Sequence, residues 1–184
     1  MWRNKKTYKY KKVKSLENIE FEKFDITKVA NLILYMIHKK VKNLNDKKLT
    51  LMMFFMEYNH LEYCGSKIFF DTYIKQKRNP ESLILSDIFD VIANEENLED
   101  EDLRIFLINE LCEYVDIDIN KKDTFVELKF DPKEEFDEEL FTKDEMKSIQ
   151  KVINLYKDTS VRNLANETFS IDIIRKTELD NIII

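Results

Sequence analysis

The chain has one glycine, two prolines, two cysteines and two histidines in 184 residues. Each scarcity removes a class of protein. Walker loops, dinucleotide-binding turns and nucleophile elbows need glycines where backbone must approach a phosphate or turn sharply, so the common nucleotide-binding folds are excluded. Scarce glycine and proline also argue against all-β architectures rich in tight turns. Cys64 and Cys112 are too few and too isolated to build a disulfide framework. No apolar run approaches the ~20 residues of a membrane span, and nothing after Met1 resembles a signal segment, so a bacterial cytoplasm is the expected location.

What is present is a core and an uneven distribution of charge. The apolar fraction of 43% places the chain well inside the globular class, and its length suits one domain. Net charge is −6, yet the first fourteen residues carry Arg3, Lys5, Lys6, Lys9, Lys11, Lys12 and Lys14 and no acid. Trp2, Tyr8 and Tyr10 interleave these cations, a composition able to hold a nucleic-acid backbone and stack bases. Two stretches are strongly acidic, from Asn94 to Asp102 and from Asp131 to Glu139. They read as solvated faces or as a docking surface for a basic partner. The expected partner-binding residues, chosen by charge, are Glu95, Glu96, Glu99, Asp100 and Asp102 on one loop and Glu134, Glu135, Asp137 and Glu138 on the other.

Periodicity supplies the elements. Ile26, Val29, Ala30, Ile33, Leu34 and Ile37 recur at helical spacing behind Asp25 as N-cap. From Leu49 to Met56 a second helix is apolar on nearly every side, which a protein in water hides only by surrounding it. Asp46 is the expected cap of that helix, and Gly65 its stop. An extended return through Ile68, Phe69, Phe70, Tyr73 and Ile74 follows. Asn79 and Pro80 read as cap and first-turn proline of a third helix burying Leu85, Ile88, Phe89 and Ile92. A fourth helix runs from Leu103 to Leu111, and Thr124 to Phe130 alternates as a strand. Thr142 and Glu145 form a capping box before Met146, Ile149, Val152 and Ile153, and a short helix starts at Ser160. The fold class is α+β, mainly helical: a compact helical domain around a central buried helix, with one small antiparallel sheet.

The residues of the buried helix and its return carry a family resemblance. Leu49, Met52, Met53, Phe54, Phe55 and Glu57 are followed by His60, Leu61, Gly65, Ile68, Asp71 and Tyr73, with Asn79 and Pro80 at a turn. Further on stand Leu140, Phe141, Thr142, Glu145 and Val152, then Leu164, Asn166 and Glu167. In this order and spacing the chain resembles the Panacea, or SocA-like, antitoxin domain over about residues 24 to 169. It departs from that pattern at Leu51 for a lysine, Asn79 for the turn glycine, Ser82 for a second proline and Asn166 for a histidine. On this division residues 1–23 are a basic extension and 170–184 a C-terminal tail.

The resemblance implies a non-enzymatic protein without cofactors that binds a co-expressed toxin and holds it inactive. Two alternatives stand beside it. One is an adaptor that delivers the toxin to a cytoplasmic protease. The other is a nucleic-acid-binding regulator acting through the basic leader.

Sharper chemical readings are weaker. Asp116, Asp118, Asn120 and Glu127 occupy calcium-loop steps, but Lys121 stands where such a loop needs glycine, so a solvated turn leading into a strand is expected. Glu57, His60 and Cys64 are spaced to share one helix face, yet no second Glu-x-x-His and no further Cys or His ligands accompany them. The apolar end Ile182-Ile183-Ile184 is expected to dock against the domain or a partner, with an exposed degradation signal as the alternative.

Overall fold

The computed structural model describes residues 23–184. Its order is α1 (Ile26–His38), α2 (Asp46–Cys64), β1 (Tyr73–Lys75), β2 (Pro80–Ser82), α3 (Ile84–Asn94), α4 (Leu103–Tyr114), β3 (Val115–Lys121), β4 (Val126–Pro132), a 3-10 turn (Glu138–Leu140), α5 (Lys143–Tyr156), α6 (Val161–Thr168) and α7 (Asp172–Lys176). The helix α2 is the axis of the molecule. Leu49 and every residue from Leu51 to Glu57 are buried, because α5, α6, α3, β2 and β4 pack around it. Sheathing on all sides explains how this apolar helix is accommodated in water.

Caps fix the helix ends as the sequence suggests, with one displacement. Asp25 accepts the Lys28 N–H, and Thr142 and Glu145 form a complete capping box on α5. Ser160 caps α6 through Asn163. On α2 the cap is Asn45, which accepts the Lys48 N–H, and not Asp46. The Asp46 carboxylate instead accepts the Leu128 N–H and pins β4 to the start of α2. Gly65 ends α2 in the left-handed conformation at φ 73°. A methyl group on its Cα would meet nothing within 4 Å, so backbone conformation and not space selects glycine there.

Two expectations fail in instructive ways. Asn79 and Pro80 do not start a helix: Pro80 opens strand β2, and Asn79 donates from Nδ2 to the Pro80 carbonyl at 2.7 Å. The helix starts four residues later, at Ile84, whose N–H is capped by the Asp71 carboxylate. The segment Asp116–Asn120 is not a turn but most of β3, paired antiparallel with β4 so that Ile117 faces Phe130 and Ile119 faces Leu128. Asp116, Asp118 and Asn120 are therefore the alternating polar face of a hairpin strand. Glu127 is held by Asn45 Nδ2 at 2.8 Å and Lys122 Nζ at 3.0 Å. No calcium loop exists in this geometry.

Among the described residues the strands form two small antiparallel sheets, β1 with β2 and β3 with β4. The C-terminal residues extend the first. Ile183 N–H donates to the Tyr73 carbonyl at 2.7 Å and Tyr73 N–H to the Ile184 carbonyl at 3.0 Å, with Ile183 buried beneath. The isoleucine end thus docks on its own domain and covers the open edge of β1.

Candidate functional site

Most residues of the recognised motif meet at the C-terminal half of α2, where the return segment crosses it. Glu57 is fully buried; its two carboxylate oxygens accept the N–H groups of Ile68 at 2.6 Å and Phe69 at 3.0 Å. A helix side chain here replaces the missing strand partner for two consecutive backbone donors. Burial pushes the Glu57 carboxyl up to about 7, opposed by those donors and by Lys67, with Asp71 adding to the rise. One turn on, His60 Nδ1 lies 3.0 Å from Ser148 Oγ of α5, tying the two helices together.

Asp71 organises the other side. Its Oδ1 accepts the Thr72 N–H at 2.7 Å and the Ile84 N–H at 3.1 Å; its Oδ2 accepts the Leu85 N–H at 3.2 Å and the Ser82 hydroxyl at 2.5 Å. The carboxylate therefore caps α3 from thirteen residues upstream, supplying acceptors to its orphan donors and a negative charge to its positive end. This is why Ile84 and not Pro80 begins the helix. Burial raises the Asp71 carboxyl, against the pull of Ser82 and of the Ile84, Leu85 and Thr72 amides. Tyr73, also fully buried, stacks edge-on against Phe54 with centroids 5.2 Å apart.

These side chains are committed to the fold. Glu57 and His60 are engaged away from Cys64, which is exposed, so the spacing that suggested one metal-binding face leads to three unrelated environments. Among the described residues no group of three or more His, Cys, Asp or Glu side chains is placed to hold a metal.

The surface differs in character. The first acidic stretch leads into the N-terminus of α4 at Asp102, and the second starts at its other end, where the Lys133 N–H donates to the Tyr114 carbonyl, and passes α1 at Asn31. Glu96, Glu99, Asp100, Glu134, Glu135 and Glu138 are exposed. Glu95 is exposed and paired with Lys121 at 2.6 Å. Two members are structural instead. Asp102 caps α4 through the Arg104 N–H and pairs with the Arg104 guanidinium at 2.6 Å, which holds its carboxyl below the usual range. Asp137 caps the 3-10 turn, and its own N–H donates to the buried Asn31 at 3.1 Å.

A family model described as "Antitoxin SocA-like, Panacea domain" matches residues 49–170. The chain belongs to the SocA-like Panacea antitoxin family. No curated protein and no solved structure matches it.

Within the Panacea domain the motif positions divide. Glu57, His60, Gly65, Asp71, Tyr73 and Pro80 are fold-holding, while Asn166 and Glu167 are exposed on the last turn of α6, where their carbonyls accept the Phe169 and Ser170 N–H groups. One buried group escaped notice in the sequence. Lys48 Nζ donates to the Lys42 carbonyl at 2.6 Å and to the Lys157 carbonyl at the C-terminal end of α5 at 2.8 Å, where a cation suits the negative helix pole. Burial lowers its ammonium, with Asp158 opposing. A lysine in the first turn of a helix, directly before its apolar run, looks solvated in a sequence, and no local pattern separates it from Lys47. The leader cations Arg3, Lys5, Lys6, Lys9, Lys11 and Lys12 lie outside the described residues. Among the described residues no helix is long and apolar enough to cross a membrane.

Proposed function

We propose that this Panacea-domain protein neutralises a co-expressed toxin by stoichiometric binding, with its acidic surface over a basic active site. The family assignment carries the reading. The division of the motif supports it: Glu57 and Asp71 are consumed by backbone donors and withheld from a partner, whereas the acids at the ends of α4 are mostly exposed. A toxin acting on RNA or nucleotides presents positive potential, and complementary charge speeds encounter and sets orientation.

The test is growth rescue. The open reading frame adjacent to this gene is induced in a host with and without this chain, and the two products are co-purified. Arrest relieved by the chain together with a stable complex supports neutralisation. A harmless neighbour and no complex contradicts it. Toxin half-life separates the adaptor alternative, since delivery to a protease shortens it and sequestration does not. A salt-dependent gel shift lost on deleting residues 1–14 would instead favour the nucleic-acid reading.

A further inference from the structure

We infer that the outer face of α4 around Leu103 and Phe106 receives an apolar anchor carried on a basic segment of the toxin. This rests on the antitoxin reading and gives it an address.

Folding does not account for these two side chains. Leu107 and Leu111 turn the inner face of α4 into the core, whereas Leu103 is 61% exposed and Phe106 67% exposed. They line a groove of about 470 Å³ with Lys23, Phe24, Asp25 and Ile26 at the start of α1 and with Glu110 of α4 itself. Phe70 stands beside the same end: the Asp25 N–H donates to the Phe69 carbonyl at 3.1 Å, and Phe70 is 41% exposed in the left-handed region at φ 61°. An aromatic residue in that conformation is strained, and here it presents a ring at the surface while its two neighbours are buried. Exposed aromatic and aliphatic side chains beside a concavity are what an interface anchor requires.

Charge selects the occupant. Between Glu95 and Glu113 the sole basic residue is Arg104, and its guanidinium is taken by Asp102 at 2.6 Å and Asp87 at 3.2 Å. On the groove's own walls Lys23 stands against two acids, Asp25 and Glu110, so acids outnumber free cations among the described residues around it. Other exposed rings differ: Lys151 Nζ sits 4.8 Å over Tyr63 and Lys122 Nζ 5.1 Å over Phe125, so those surfaces offer positive charge to a visitor. An apolar anchor flanked by Lys or Arg fits α4, its aliphatic or aromatic group in the groove and its cations toward Glu99, Asp100 and Glu110. Apolar contact supplies affinity, and the acidic surround supplies rate and discrimination.

The experiment uses the full chain and the purified product of the adjacent open reading frame, with affinity read by calorimetry at low and high salt. The double variant Leu103→Ser, Phe106→Ser is expected to bind roughly 30-fold more weakly or worse, and to lose rescue, while its unfolding midpoint stays near that of the parent. Tyr63→Ser is expected to bind as the parent does. Unchanged affinity in the double variant overturns the inference and leaves neutralisation standing; failure of the parent to bind or rescue overturns both. Two further results assign the face elsewhere and equally overturn the inference. One is a parent dimer that the double substitution splits at unchanged toxin affinity, which gives the face to a second copy. The other is unchanged affinity with altered emission from Trp2, the sole tryptophan, which gives it to residues 1–22 of the same chain.

Discussion

The end of α2 and the outer face of α4 use carboxylates in opposite ways. Around α2, Glu57 and Asp71 are fully buried and saturated with backbone donors, so each is a covalently attached substitute for missing secondary-structure partners. Around α4 the acids are mostly in water, and Leu103 and Phe106 are exposed between them. Where a residue type is buried and satisfied, its removal damages the protein; where it is exposed, its removal damages only what the protein meets. A family motif found in sequence is thus not automatically a functional site. Here its most recognisable residues hold the fold, and the surface proposed for binding lies outside it.

The largest expected effect is at Asp71. Asp71→Ala strands three backbone N–H groups and the Ser82 hydroxyl in a buried setting, and should cost at least about 3 kcal/mol in urea unfolding. A loss under about 1 kcal/mol would mean that water replaces the carboxylate and that the two regions differ less than described.

Glu57 makes the comparison dependent on pH. Its folded carboxyl sits at about 7 against a usual 4.5, so the folded state holds this proton more tightly than the unfolded chain does. Its contribution is fully present below about pH 4.5 and is lost as pH rises through about 7. A shift of this size corresponds to about 3 kcal/mol over that window. The raised carboxyl of Asp71 acts in the same sense. Glu145 and Glu127 are lowered, so their contributions are present at neutral pH and fade as pH falls through the acid range. Glu57→Gln should therefore flatten the stability profile between about pH 5 and 7.5 and leave the acid limb in place. An unchanged slope in that window would remove Glu57 as its source.

Deleting Ile182–Ile184 uncovers the β1 edge and exposes the site of Ile183. A loss of about 2 kcal/mol in chemical unfolding is expected, from one buried isoleucine and its strand hydrogen bonds. No measurable loss would mean the tail is a passive end. The smallest stability effect belongs to the surface: Glu99→Lys with Asp100→Lys should stay within about 0.5 kcal/mol of the parent. The same pair should slow toxin association about tenfold at low salt, a difference that narrows as salt is raised. Equal association rates would place the interface elsewhere.

How far the sequence could be read depended on the distance over which each residue acts. Asp25, Thr142 with Glu145, and Gly65 act within one turn of their own positions, and each helix end was legible from its neighbours. The all-round apolar character of Leu49–Met56 likewise pointed to a central helix. The start of α3 is not legible locally because its cap comes from Asp71, thirteen residues away across two strands, while the Asn79–Pro80 pair imitates a helix start. Asp46 imitates a cap for a related reason, since its partner is Leu128 on β4. The β3 strand is hard to see in the sequence because its outward acids hide a period-two pattern whose other half, Ile117 and Ile119, acquires meaning only against Phe130 and Leu128. Of the site, the acidic loops were visible as charge. The groove was not, because it forms where residues 23–27 meet α4, and nothing in either segment alone indicates the meeting.

Hydrogen exchange of the full chain, alone and with the product of the adjacent open reading frame, tests the division between the two regions most directly. Added protection is expected from Glu95 to Glu113 and around Glu134 to Glu138, with the Ile68, Phe69, Ile84 and Leu85 amides, held by Glu57 and Asp71, already slow in the free protein and unchanged on binding. Protection gained elsewhere while Glu95 to Glu113 stays as in the free protein, or those four amides exchanging freely until the partner arrives, would contradict it.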